Sequence, residues 1–208
     1  MTPEIIKVCG ITRVEDALAA ARAGATAIGL NFYPGSPRYV DFGRAALIAA
    51  ATPHTIVKVG IFVDEDPERI RQIAEAVRLD VAQLHGREAA FDCEALEPLR
   101  VWKAFRVGEG FLPEVLADYR VEAFLLDAAG LNGEFGGAGR PFPWAMARAA
   151  APYGRIILAG GLDAGNVGEA IRQAAPWGVD ASSRLERAPG VKDPDKVREF
   201  VDAARAQH

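Results

Sequence analysis

The chain has 208 residues, half of them hydrophobic and a quarter charged, enough apolar material for one globular domain over 1–208 and little room for a second. A formal net charge of -4 argues against a general nucleic-acid surface, which needs clustered excess Lys and Arg to neutralise phosphates, so any anionic ligand must be held locally. Cys9 and Cys93 lie in no paired motif, which argues against a disulfide scaffold or a multi-cysteine zinc site and makes reducing cytoplasm the expected location; Met1 to Ile5 lacks the features of a signal peptide, and no segment approaches the length of a membrane span.

Ile5 to Cys9 reads as a strand ended by Gly10. Thr12 with Glu15 three residues on has the capping-box spacing, and Val14, Ala17, Leu18 and Ala21 form a helical stripe that Gly24 stops. The unit then recurs. Ala27 to Phe32 is a buried strand, and a loop with Pro34, Gly35 and Pro37 leads to a helix around Ala45 to Ala51. Thr55 to Val63 is the third strand, and Pro67 opens a helix through Ile70, Ile73 and Val77. Val81 to Leu84 is the fourth strand, with a helix near Ala89 to Leu96. Val101 to Phe105 is the fifth, with a short helix after Pro113. Val121 to Leu126, Arg155 to Leu158 and Gly178 to Ala181 complete the strands, and helical patterns follow at Trp144 to Ala150, Asn166 to Ala174 and Pro194 to Ala204. Such an alternation of strands and helices, repeating at roughly 20 to 30 residues, predicts a closed (β/α)8 TIM barrel. A doubly wound open sheet is the less favoured alternative, because the turn at Cys9 to Thr12 lacks the glycine spacing of a dinucleotide site.

In such a barrel the ends of the strands form the rim where substrates bind. Cys9 ends the first strand there and Asp127 follows the sixth; strand alternation puts Ile5, Lys7 and Cys9 on one face. A lone cysteine at a strand end is often a small buried hydrophobe, and a lone aspartate a loop cap. Together at one rim, a thiol and a carboxylate point to proton transfer. Gly160-Gly161 after strand seven and Ser182-Ser183 after strand eight occupy the two loops that frequently hold a phosphate, although each also reads as a tight turn or a cap. Arg38 in the second loop has the chemistry to clamp a carboxylate or to pair with a surface acid, and His85 at the end of strand four to bind substrate, act as an acid or serve structure. His54 and His208 have no ligand-like neighbours, so no metal centre is expected.

Taken together, Lys7-Val8-Cys9-Gly10-Ile11-Thr12, Phe32-Tyr33-Pro34 with Ser36 and Arg38, Gln83-Leu84-His85-Gly86, Leu126-Asp127, Gly136-Gly137-Ala138-Gly139-Arg140 and Ala159-Gly160-Gly161-Leu162 closely resemble the phosphoribosylanthranilate isomerases of tryptophan biosynthesis, in order and over nearly the whole chain. The resemblance implies an Amadori rearrangement without cofactor, on a small phosphorylated substrate rather than nucleic acid or membrane, by a monomer or homodimer. It implies Asp127 as general acid, Cys9 as general base, Arg38 at the substrate carboxylate, and Gly160, Gly161, Ser182 and Ser183 at the phosphate. Gly137 and Gly139 would belong to a cover that excludes water. A thiol base must ionise, so Lys7 or a cationic intermediate is expected to favour the thiolate. Two departures stand out. Arg184 replaces a usual glycine, which requires the backbone to avoid positive φ or accept strain, and Arg140-Pro141-Phe142-Pro143-Trp144 replaces the commoner Lys-Thr-Phe-Asp-Trp. Related sugar-phosphate barrels are disfavoured by Cys9, since an epimerase needs metal-binding residues and the histidine-pathway isomerase pairs two aspartates. A phosphate-ligand sensor on the same barrel is disfavoured by the retention of both Cys9 and Asp127.

Overall fold

Apolar runs of four to eight residues bury both faces when helices cover them, and a ring of parallel strands is the arrangement that results here. The computed structural model describes residues 2–108, 110–128 and 144–207. Its order is β1 (Ile5–Val8), α1 (Val14–Ala23), β2 (Ala27–Asn31), α2 (Phe42–Ala51), β3 (Val57–Phe62), α3 (Pro67–Val77), β4 (Val81–Leu84), α4 (Ala90–Glu94) and β5 (Arg100–Val107). A 3₁₀ segment (Pro113–Asp118) then leads to β6 (Ala123–Ala128), α5 (Trp144–Ala150), β7 (Arg155–Leu158), α6 (Val167–Ala174) and β8 (Gly178–Ala181), and the chain ends with β9 (Glu186–Ala188), β10 (Val191–Lys192) and α7 (Pro194–Arg205). Strands β1 to β8 close into a barrel in chain order, β1 pairing in parallel with β2 on one side and with β8 on the other. Among the described residues no helix is long and apolar enough to cross a membrane.

Strand alternation divides the apolar side chains into two layers. Ile5, Val59, Val81, Trp102, Leu125 and Ile157 fill the barrel interior, while a larger set including Ile6, Val8, Ile28, Phe124 and Phe200 packs between strands and helices. Towards the rim the interior turns polar: Lys7, Gln83 and Asp180 are buried there. This polar layer on an apolar floor is the base of the site.

Local chemistry sets the helix ends. Asp66 and Asp193 each accept backbone N–H bonds at the start of α3 and α7, with Pro67 and Pro194 in the first turn. Gly24 ends α1 in the left-handed conformation at φ 91°. The expected capping box of α1 is absent. Arg13 is the cap residue and contributes no side-chain bond, because the Thr12 hydroxyl donates instead to the Gly190 carbonyl, a tie across the ring closure that local spacing does not reveal. The short helix expected after Pro113 is 3₁₀, α4 is shorter than expected, and the β9–β10 hairpin was not foreseen.

Candidate active site

The rim encloses a cavity of about 280 Å³ whose walls include Cys9, Arg38, Gln83, His85, Asp127, Gly160, Gly161, Asp180, Ser182 and Ser183. Cys9 stands one residue beyond β1, and its N–H donates to the Ala181 carbonyl at 2.9 Å, so the thiol is fixed against the end of β8. Gly10 then turns away at φ 74°. A side chain there would put Cβ 2.5 Å from Arg38 Cδ and 3.0 Å from Ser182 Oγ, so glycine lets three segments of the site meet.

Beneath the thiol, Lys7 Nζ donates to Asp180 Oδ2 at 2.9 Å in a buried ion pair. Burial pushes the Cys9 thiol up, against the pull of the Lys7 ammonium. Burial also disfavours the charged Lys7, yet the negative charge of Asp180 and its contact with Cys9 outweigh it and hold the ammonium above its ordinary value. Asp180 is itself pushed up by burial despite Lys7. The ammonium therefore stays charged beside a thiol that is neutral in the free protein.

Asp127 lies in β6 on the same cavity, with His85 Nε2 3.6 Å from its Oδ2, too long for a direct hydrogen bond. Gln83 Nε2 lies 3.2 Å from His85 Nδ1. With the amide donating, His85 Nδ1 is the acceptor and the ring hydrogen sits on Nε2, facing Asp127. His85 is thus oriented by a neighbour on its own strand end.

The loop carrying Arg38 is locked by its own polar residues: Asn31 Nδ2 donates to Ser36 Oγ at 3.2 Å, and Arg38 N donates to the same oxygen at 3.1 Å. The Arg38 guanidinium meets Glu186, donating from Nε and Nη2 at 2.8 Å each. That pairing engages one edge of the fork and leaves Nη1 and the second hydrogen of Nη2 for another acceptor. Lys192 Nζ also donates to Glu186, at 2.8 Å, and to the Ser182 carbonyl at 3.1 Å. One buried carboxylate therefore joins the Arg38 loop to the loop after β8.

Gly160 and Gly161 turn at φ 89° and 72° after β7, and Ser183 opens a 3₁₀ turn, Ser183–Leu185. Among the described residues the backbone N–H groups of Gly160, Gly161, Ser183 and Arg184 donate to no protein acceptor. Arg184 keeps negative φ within the turn and lines the cavity, so its backbone accommodates a side chain without left-handed strain. Gly137 and Gly139, expected in a cover, lie outside the described residues. Among those residues no cluster of His, Cys, Asp or Glu has a metal-holding arrangement.

Sequence reading did not single out Gln83, Asp180, Glu186 or Lys192 as members of the site. Gln83 and Asp180 carried a signal, as polar residues at inward positions near strand ends; Glu186 and Lys192 carried none, since their partners are distant in the chain.

A family model described as N-(5'phosphoribosyl)anthranilate (PRA) isomerase matches residues 6–203. An N-(5'-phosphoribosyl)anthranilate isomerase of Solibacter usitatus is 50% identical over 202 residues, covering 97% of this chain and 98% of the relative. A solved phosphoribosyl anthranilate isomerase from Thermotoga maritima superposes with a TM-score of 0.90 at 36% identity, covering 98% of each chain. Another solved isomerase, in complex with reduced 1-(o-carboxyphenylamino)-1-deoxyribulose 5-phosphate, gives a TM-score of 0.87 at 36% identity, again with 98% of each chain covered.

Proposed function

The chain belongs to the N-(5'-phosphoribosyl)anthranilate isomerase family and is an isomerase of tryptophan biosynthesis, and we propose that Cys9 and Asp127 divide the proton transfers of its reaction. The observation that carries this assignment is that a thiol and a carboxylate line one cavity, with backbone N–H groups on its β7–β8 side that have no acceptor among the described residues and a guanidinium on its β2 side.

The substrate, N-(5-phosphoribosyl)anthranilate, is a ribosylamine with an anion at each end. Its phosphate fits the N–H groups of Gly160, Gly161 and Ser183, with the Ser182 and Ser183 hydroxyls and the Arg184 guanidinium at the same end. Its carboxylate fits the open edge of Arg38. The sugar then lies over Cys9 and Asp127. Asp127 gives a proton to the furanose ring oxygen as the bond from that oxygen to C1 breaks, leaving a hydroxyl at C4 and a protonated Schiff base between C1 and nitrogen. Once the cationic Schiff base has formed, the Cys9 thiol loses its proton to water and the resulting thiolate takes the proton from C2; the electron pair of that C–H bond forms a C1–C2 double bond and neutralises the iminium nitrogen, giving an enolamine. Movement of the enol proton from oxygen to C1 produces the 2-ketone. Cys9 ends as the thiol it was in the free protein, and Asp127, left ionised, regains its proton from water.

Charge explains the order of events. Burial disfavours a thiolate in the empty site, whereas the cationic Schiff base brings positive charge to C1, beside the proton that Cys9 removes. Ring opening therefore prepares the base for the second step.

The test follows loss of anthranilate-type fluorescence on freshly made phosphoribosylanthranilate, with a chelator present. Rapid conversion is expected for the wild type, and Cys9→Ala and Asp127→Asn, both folded, should fall by roughly a hundredfold or more, the usual scale for losing acid–base help. Near-normal turnover by either variant would remove that residue from its role.

A further inference from the structure

One buried ion pair outside the cavity takes no part in the proton transfers. Lys103 in β5 and Glu88 in the loop after β4 are 2% and 6% exposed, and neither lines the cavity. Lys103 Nζ donates to Glu88 Oε2 at 2.8 Å. Stability alone is a weak reason for such a pair, because desolvation of both ions offsets their attraction and apolar replacements of similar volume are often as stable. Its other bonds show what it holds in place.

Those bonds go to main-chain groups, most of them on either side of His85. Lys103 Nζ donates to the Gly86 carbonyl at 2.9 Å and, at longer range, to the carbonyls of Leu84 at 3.4 Å and Ala104 at 3.3 Å. Glu88 accepts the Gly86 N–H on both oxygens, at 3.1 and 2.9 Å, and the Asp64 N–H on Oε1 at 2.9 Å. The residue before His85 is held by its carbonyl and the residue after it by both backbone groups, while His85 N donates to the Phe62 carbonyl at 2.8 Å. The backbone that carries the ring is therefore fixed from both sides. The same pair presses the loop after β4 against the loop after β3. A Cβ on Gly86 would stand 2.3 Å from Asp64 Oδ1 and 2.6 Å from Asp64 N. Asp64 itself adopts φ 49°, a left-handed conformation that costs free energy in a residue with a side chain and persists only where surrounding bonds over-determine it. Here those bonds come from Glu88 and from Arg87 N, which donates to Asp64 Oδ1.

We propose that Glu88 and Lys103 are positioning residues for the reaction: from outside the cavity they hold the His85 ring with its Nε2–H towards Asp127, ready to meet the carboxylate formed when Asp127 gives up its proton. His85 Nε2 lies 3.6 Å from Asp127 Oδ2, so a small movement completes a hydrogen bond to an anion that exists only after the proton has left. A bond of that kind favours the ring-opened state over the bound substrate and acts on kcat more than on KM. The inference rests on the isomerase reading, with Asp127 as the acid, and adds to it two residues that touch neither substrate nor cavity.

The test replaces the pair by Glu88→Gln together with Lys103→Met, which removes both charges and leaves an amide oxygen to accept backbone N–H groups. In this variant kcat should fall roughly tenfold or more while KM stays within about threefold, the scale on which a small misplacement acts. The ring-nitrogen NMR shifts of His85 should move, and those of His54, which precedes β3 at the opposite end of the barrel, should not. A variant carrying His85→Asn separates positioning from general support. In that background the same pair replacement should lower kcat by less than about twofold, because the ring that the pair holds is already gone. Lys103→Arg, which keeps the charge and changes the donor geometry, takes the place of the pair replacement if that variant does not fold. An unchanged kcat, equal losses with and without the ring, or unmoved His85 shifts overturn the inference. Turnover by wild type and by Asp127→Asn is measured alongside. No turnover by folded wild type, or near-normal turnover by Asp127→Asn, sinks the reading on which the inference rests, whereas normal behaviour of both with equal losses in the two backgrounds sinks only the inference.

Discussion

Cys9 shows how far an assigned role depends on the surroundings of one atom. A thiol must lose its proton to act as a base, and burial here works against that loss, while the Lys7 ammonium works for it. Burial is the larger effect in the free protein, so the thiol should titrate above the ordinary range near 8.5. The only other cysteine, Cys93, is 2% exposed and pushed up to about 11 by burial, so alkylation reads Cys9. The rate of inactivation by iodoacetamide should therefore climb with pH through neutrality and level off only above the usual thiol value. A plateau reached at or below pH 8 would contradict the burial argument. Both proposed proton-transfer residues were legible in the sequence, because an inward strand position is fixed by an alternation that local residues determine. The tuning of Cys9 was legible only in part: Lys7 lies two residues away, but its partner Asp180 arrives from the far end of the chain when β8 pairs with β1.

At the scale of elements, the β9–β10 hairpin accounts for much of what the sequence concealed. It is a short hairpin without an apolar pattern, and its importance lies in Glu186, which joins Arg38 and Lys192. The carboxyl is disfavoured as an anion by burial, but the Arg38 bonds and the Lys192 charge outweigh burial and hold it below the ordinary carboxylate range. Removing the charge leaves two cations facing each other without a counterion, so Glu186→Gln should lose about 3 kcal/mol of stability at neutral pH. A depressed folded pKa contributes stability that is present above the unfolded value, near 4.3 for glutamate, and is lost as pH falls through the folded one. Urea midpoints of wild type and variant should therefore converge as the pH is lowered through about 4 and below. A gap that is constant with pH would show that packing, rather than charge, is what the variant loses. By contrast, the helix-start signals at Asp66 and Asp193 were readable because each cap bonds only to residues within three positions.

Across the whole molecule the site is a consequence of closure. Cys9 follows β1 and Ser182 follows β8, the first and last strands of the barrel, and the two reach one another only when the ring is sealed: Cys9 N donates to Ala181 O, and Ser182 Oγ to Cys9 O at 3.2 Å. The number of barrel strands and their order were legible because each βα unit carries its own apolar run and stop. The seal itself is long-range. Helix α7 packs on α1 across this junction, with Val197, Phe200, Val201 and Ala204 fully buried beneath it. A cavity at Phe200 should therefore weaken the barrel as one cooperative unit instead of fraying its last helix. Phe200→Ala is expected to cost about 3–5 kcal/mol, which for a chain of this size lowers the thermal midpoint on the order of 10 °C. Near-UV and far-UV signals should fall together while kcat at 25 °C, where the variant remains folded, stays close to wild type. If far-UV signal from α7 were lost first and the barrel melted at the wild-type midpoint, α7 would be an appendage, and the junction between β1 and β8 would owe its stability to strand pairing and the Lys7–Asp180 pair alone.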